Sequence, residues 1–443
     1  MGETDTDAAD RFDAAISRGK LDEGTPGLWR RYRRLPKNVY AISFVSLLND
    51  TSSESIYPLL PFFLHLTLGT PPAAIGLIEG ISESVSSLLK LFAGYFSDRR
   101  GRRKGLVVSG YALASLARPL LAFTASWYQV LAVRVTDRVG KGIRSAPRDA
   151  MIADAALKEE RGLAFGFHRA MDHAGAVLGP LLGLIVLLWI ATDINALEAA
   201  DYRRLFLLAS IPAFCSVLVA VFFVRERPRH LRTAADNLQP PRLSLRGFDA
   251  NFKRFLIIVA LFTLSNFSDM FLLMRARQAG SGVALILLMW AALHAVKVFS
   301  SLVGGDLSDR LGRKGLIVAG WVLRVGVYAG FAFVNSILMT WLLFLVYGIY
   351  FGLAEGAEKA LVADLVRPEQ RGTAYGLYNL AFGITVLPAS LLMGAVWNWH
   401  SPQTAFIVSG GLGALAALLL LLLVSARPPA GSQLHGMQTE ETI

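Results

Sequence analysis

The chain has 443 residues, 54% of them hydrophobic and only 17% charged, with a mean hydropathy of +0.47. A water-soluble globule of this length carries more charge and less apolar weight, so that class is excluded. The net charge of +11 does not indicate nucleic acid, because Arg and Lys gather in short loops between apolar stretches of membrane-crossing length.

In chain order, residues 1–37 form a polar tail, acidic and then basic (Arg30, Arg31, Arg33, Arg34, Lys37), without the apolar core of a cleavable signal. Six spans follow at about 38–66, 73–97, 105–125, 127–151, 163–190 and 203–224, making an N-terminal bundle over 38–224. The stretch 225–252 is rich in Pro and Arg and reads as a linker. Six more spans, at about 253–275, 282–306, 315–334, 337–363, 372–397 and 402–425, make a second bundle over 253–425. Residues 426–443 read as a polar tail. The fold class expected is an all-α polytopic membrane protein with twelve transmembrane helices in two pseudo-symmetric six-helix bundles.

Orientation follows from the basic loops. One alternating set holds Arg99 to Lys104, Lys158 and Arg161, Arg225 to Arg254, Arg310 to Lys314, and Arg367 and Arg371; the other set is almost free of Lys and Arg. Both termini are therefore expected in the cytoplasm of a cell, or bacterial inner, membrane. Arg275 and Arg277 break the bias and are expected to snorkel to the far interface. The single cysteine, Cys215, excludes an internal disulfide and a thiolate zinc site, and reads as a small buried apolar side chain.

The two halves repeat. Gly94-Tyr-Phe-Ser-Asp98-Arg99-Arg-Gly101-Arg102-Arg103-Lys104 returns as Gly305-Asp-Leu-Ser-Asp309-Arg310-Leu-Gly312-Arg313-Lys314, with Asp309 standing 211 residues after Asp98. Arg161-Gly-Leu-Ala-Phe-Gly166 returns as Arg371-Gly-Thr-Ala-Tyr-Gly376, and Ile152-Ala-Asp154 as Val362-Ala-Asp364, each 210 residues on. Parallel repeats on either side of a linker are an organisation of secondary transporters.

These strings resemble the major facilitator superfamily over the whole chain. Its loop motif, Gly-x-Leu-Ala-Asp-Arg-x-Gly-Arg-Arg/Lys, is met at Gly94, Asp98, Arg99, Gly101, Arg102 and Arg103, and again at Gly305, Leu307, Asp309, Arg310, Gly312, Arg313 and Lys314. The resemblance implies a conformational latch that steadies the outward-facing state. Span five carries Gly175, Gly179, Pro180 and Gly183, similar to the helix-bending motif Gly-x-x-x-Gly-Pro-x-x-Gly of drug/proton antiporters. Span four resembles Arg-x-x-Gln-Gly-x-Gly-x-Ala at Arg138, Gly142 and Ala146, with Lys141 in place of Gln and Arg144 in place of Gly. In the family that arginine is implicated in proton transfer.

Ionisable side chains in spans are costly, at about 2.5–3.5 kcal/mol each on insertion scales, so they mark function or find partners. Span one holds Asn49, Asp50 and Glu54; span two holds Glu79 and Glu83; span five holds His168, Arg169, Asp172 and His173. The second half adds Asn266 and Asp269, His294 and Lys297, and Glu355, Glu358 and Lys359. The expectation is a proton-coupling and substrate cavity built from Asp50, Glu54, Glu79, Glu83, Arg138, Lys141, Arg144, Arg169, Asp172, Asp269 and Glu355, with Asp50 or Glu83 as proton carrier. Glu355 and Lys359, four apart, also fit a structural ion pair. Arg148 and Asp149 read as the emerging end of span four, and Trp290, Trp321, Tyr347 and Tyr350 as interface belt or packing. The histidines lack the spacing of a metal site.

No nucleophile elbow, zinc-protease box or phosphate-binding loop is present, so the chain is not expected to be an enzyme or to use ATP. No cofactor and no metal is expected; the partners expected are a small-molecule substrate, protons and the lipid bilayer, with the protein as a monomer. Proton-coupled export of a small organic compound is the favoured activity. Uptake by symport is the alternative, and a membrane sensor or enzyme a distant one.

Overall fold

All twelve expected spans are helical, and no strand occurs among the described residues. The computed structural model describes residues 33–100, 102–156, 161–194, 196–226, 244–366 and 371–425. Most of the N-terminal tail, the C-terminal tail and most of the linker expected from the sequence lie outside them.

Six spans are single helices of 28 to 30 residues: Pro72–Arg100 (span two), Trp127–Ala155 (four), Arg161–Ile190 (five), Val283–Leu311 (eight), Ile337–Asp364 (ten) and Arg371–Trp399 (eleven). At 1.5 Å per residue each is roughly 42–45 Å long and overshoots a hydrocarbon core of about 30 Å. Spans nine and twelve are Arg313–Phe333 and Pro402–Leu423.

The remaining spans are interrupted, each at an identifiable cause. Span one runs as Lys37–Ile56 and then passes through 3₁₀, α and π turns to Thr67, around Pro58 and Pro61. Span three tightens from Lys104–Ala117 into a 3₁₀ turn over Arg118–Phe123 at Pro119. Span six breaks between Ala199–Ala209 and Ile211–Phe222, where Pro212 lacks an N–H and the Ser210 hydroxyl donates to the Phe206 carbonyl at 2.7 Å. Span seven is split into Ala250–Leu264 and Met270–Gln278 by the polar run Ser265 to Asp269.

Eight of these helices are long and apolar enough to cross a membrane by length and composition, among the described residues. Spans one, two, four and seven fall outside that set. Spans one and seven are interrupted at polar or Pro-containing runs, and spans two and four carry several ionisable side chains each. Large apolar side chains such as Phe123, Ile185, Trp189, Phe222 and Leu422 lie exposed on the outside, as hydrocarbon contact requires. Cys215 joins them: it is exposed on span six, which corrects its reading as a buried side chain.

Two seams join the bundles, spans two with eleven and five with eight. The first is backbone-tight. A Cβ on Gly76 would meet the Ser390 carbonyl oxygen at 2.2 Å, so nothing larger than glycine fits there. Gly76, Ser390, Gly394 and Ala73 all lie toward the end opposite the Gly94 and Gly305 loops, and the bundles are closed at that far side. Toward the loop side, Arg169 of span five and Glu355 of span ten are both more than half exposed.

Candidate functional site

Span four is the hub of the first bundle. Its cations reach three neighbouring spans: two, three and one. Arg134 donates to Glu79 of span two at 2.5 and 3.2 Å, and Arg138 sits 3.2 Å from Glu83, one turn further along span two. Arg144 lies over the Tyr111 ring of span three, 4.4 Å from its centroid. Arg148 pairs with Asp149 at 3.1 Å and donates to the Ser46 hydroxyl of span one at 3.0 Å. Arg148 therefore turns back into the bundle, which corrects its reading as part of an emerging helix end.

A second network crosses spans three, four and one. Arg118 donates to Asp137 at 3.0 Å and, at 2.9 Å each, to the backbone and side-chain oxygens of Asn49. Asn49 in turn donates to Asp50 at 2.8 Å. Arg118, Asp137, Arg134 and Glu79 are all more than nine-tenths buried. Pairing of this quality is what makes such burial tolerable.

The carboxylates of the centre fall into two classes. Glu79, Glu83 and Asp137 face arginines. Asp50, Glu54 and Asp269 are held by neutral donors: the Asn49 amide, the Trp290 indole at 2.9 Å and the Tyr347 hydroxyl at 2.8 Å. No cation stands within 4.0 Å of any of these three, among the described residues. Glu358 has the same character, accepting from Trp321 and Tyr378 at 2.7 Å each. The Glu54–Trp290 bond and the 3.4 Å approach of Tyr57 and Ser268 cross between the bundles.

The other expected site residues are spread more widely. Lys141 lies on span four with no ion-pair partner among the described residues. Asp172 is 3.6 Å from His168 and 3.9 Å from Arg169, and Glu355 makes the ion pair with Lys359 at 3.0 Å. Among the described residues no cluster of His, Cys, Asp and Glu could hold a metal ion. Gly175, Gly179 and Gly183 form a packing face: a Cβ on Gly179 would meet Glu54 Cβ at 2.7 Å, and the helix continues through Pro180. Ser55 of span one donates to the Gly179 carbonyl at 2.8 Å.

At the loop side, the repeated strings make matching clamps. Arg103 pairs with Asp154 at the end of span four, and Arg313 with Asp364 at the end of span ten, each residue 210 positions from its counterpart. The Lys104 and Lys314 ammonium groups donate to the last-turn carbonyls of Val221 and Leu421 at 2.7 and 2.8 Å. Asn38 and Arg225, like Asn251 and Ser425, exchange two hydrogen bonds and tie the first span of each bundle to the end of the last. Arg102 is exposed beside this clamp, and Gly312 turns the chain into span nine at φ +85°. The side chains of Asp98, Arg99, Asp309 and Arg310, together with Gly101 and the surroundings of Gly305, lie outside the described residues; Gly94 accepts from Ser97 at 2.9 Å.

The same offset relates two charge pairs of opposite sense. Arg148-Asp149 of span four corresponds to Glu358-Lys359 of span ten, 210 residues on. Asp149 and Lys359 are the more exposed members, at 46% and 47%.

Several residues of the site escape sequence reasoning. Arg118 and Arg324 are cations inside apolar spans three and nine, and that isolation was the available signal. Arg324 is fully buried over the Phe262 ring, 4.0 Å from its centroid, and donates to Ser265. Trp290 and Tyr347 hold carboxylates, which composition alone could not distinguish from packing. Arg275 is buried and donates to the Phe331, Ala332 and Val334 carbonyls at 3.0 to 3.3 Å, capping span nine instead of snorkelling.

The family profile described as Major Facilitator Superfamily matches residues 42–384 and 356–441. An uncharacterised MFS-type transporter of Methanocaldococcus jannaschii is 36% identical over 88% of this chain and 96% of its own. A multidrug resistance protein of Aeromonas hydrophila is 23% identical over 88% of this chain and 96% of its own. Among solved structures, a bacterial homologue of the human lysosomal transporter Spinster, inward-facing and occupied, superposes with a TM-score of 0.69 at 18% identity, covering 87% of this chain and 96% of that one. A D-xylose–proton symporter gives 0.70 at 19% identity, covering 88% and 98%. The chain belongs to the major facilitator superfamily of membrane transporters.

Proposed function

We propose that this transporter is a proton-coupled secondary exporter of a small organic compound, with the loop side in the cytoplasm and the two bundles giving alternating access to the centre. The observation that carries the coupling is the division of the buried carboxylates. An acid facing an arginine keeps its charge at low cost; one held only by an amide, an indole or a phenol is relieved by taking a proton. Asp50 and Glu54 are accordingly the proton carriers, with Asp269 across the seam. Glu83 is instead the partner of Arg138. Export is supported by the span-five glycine face and by the likeness to multidrug resistance proteins.

The far-side-closed arrangement is one end of the cycle. Closing the loop side brings span four toward span ten, where Asp149 meets Lys359 with complementary charge. The Arg103–Asp154 and Arg313–Asp364 clamps keep each bundle rigid as it turns.

The test is a comparison of cells with and without the gene for accumulation of a panel of labelled drugs and metabolites. The compound identified is then loaded into proteoliposomes with an imposed pH gradient. Efflux against proton entry supports the reading. Transport indifferent to the gradient, or driven in the opposite sense, overturns the coupling or the direction.

A further inference from the structure

Span eight presents Trp290, His294 and Lys297 at spacings of four and three, along one helix face. Lys297 is 9% exposed, and its ammonium lies 3.6 Å from the Phe351 ring centroid of span ten and 5.9 Å from that of Trp290. Three carboxylates act on it from nearby: Asp269, Glu54 and Glu355. Each is engaged elsewhere, by Tyr347, Trp290 and Lys359 respectively, and among the described residues no ion pair reaches Lys297 within 4.0 Å. Ring contacts return only part of the hydration an ammonium loses on burial. Both ring nitrogens of His294, one turn away, are also buried without a hydrogen-bond partner.

The walls around this cation are aromatic. Trp290 packs on Tyr57 of span one at 5.4 Å and edge-on to His294 at 5.2 Å, and Phe351 stands 5.1 Å from Tyr347. Tyr57, Asp269 and Phe351 are only half-buried although they lie deep in their spans, so a space between the bundles reaches them.

Resting on the transport reading above, we propose that Lys297 anchors the anionic group of an aromatic organic anion, such as an aryl carboxylate, whose ring lies between Trp290 and Phe351. The ammonium and one His294 N–H then face the two oxygens of a carboxylate. The ligand's ring rests on the same indole that holds Glu54, which puts substrate and proton site in direct contact.

Equilibrium dialysis of the purified full-length protein tests this with three matched probes: 2-naphthoate, 2-naphthylmethanol and 2-naphthylmethylamine. The acid is expected to bind at least tenfold tighter than the alcohol, and the amine weakest. Lys297→Gln abolishes the preference for the acid while leaving the alcohol's affinity within twofold, and Lys297→Arg keeps the preference; unchanged alcohol binding also certifies that the variants are folded. An acid that binds no better than the alcohol or the amine, or a preference that survives Lys297→Gln, overturns the inference. Gradient-driven efflux of a neutral or cationic compound in the same preparation leaves the exporter reading standing in that event, whereas absence of any driven flux removes the reading beneath it.

Discussion

Trp290 of span eight donates its indole N–H to the Glu54 carboxylate of span one at 2.9 Å, a hydrogen bond made between the two bundles. It sits on the side where the bundles are closed and involves a carboxylate with no cation beside it. A proton on Glu54 weakens the acceptor, so the bond connects the charge state of one residue to the closure of the whole molecule.

Trp290→Phe is expected to loosen the far side. A hydrogen bond to a charged group is worth about 1.5–3 kcal/mol, so the far-side-open population rises roughly tenfold or more. Labelling of Ser268→Cys by a membrane-impermeant maleimide, in a Cys215→Ser background, reads this directly. An unchanged labelling rate removes the bond from the closure mechanism.

Arg134→Met leaves Glu79 buried and uncompensated, and is expected to cost about 3–5 kcal/mol, seen as a lower unfolding temperature in detergent. The double variant with Glu79→Gln recovers most of that loss, because both charges are then gone. Full destabilisation of the double variant contradicts the pairing as its cause.

The loop-side clamps behave differently. Asp154 and Asp364 are 46% and 40% exposed, so Arg103→Ala or Arg313→Ala changes stability by no more than about 1 kcal/mol. Transport is expected to fall several-fold in each, and reversal of the pair by Arg103→Asp with Asp154→Arg restores part of it. Equal rates for single and reversed variants would falsify a role for the ion pair.

Gly179→Val places branched carbon where Glu54 Cβ already stands 2.7 Å from the ideal Cβ position. Overpacking of this kind costs about 1–3 kcal/mol. Because Gly179 backs directly onto Glu54, its transport loss is expected to exceed that of Gly166→Val, where a Cβ meets nothing within 4 Å.

The fold was legible because a bilayer leaves few choices. Apolar length, basic loops and a 210-residue repeat mark twelve spans without reference to packing. What was hidden is which carboxylate meets which donor. Glu79 and Glu83 look alike in sequence to Asp50 and Glu54, two acids four apart on one helix, yet span four supplies arginines to the first pair and none to the second. That difference depends on how spans four and eight rotate against their neighbours, a tertiary property. Trp290 and Lys297 were obscured for the same reason: their meaning comes from span one and span ten, more than 50 residues away.

Asp50 and Glu54 are the proposed proton carriers of this transporter. The direct measurement is proton movement, followed with an entrapped pH-sensitive dye, as the transported compound crosses proteoliposomes containing Asp50→Asn, Glu54→Gln or the double variant. Exchange of the compound is expected to persist in the double variant while proton movement and gradient drive are lost. Wild-type proton coupling in the double variant would contradict that assignment.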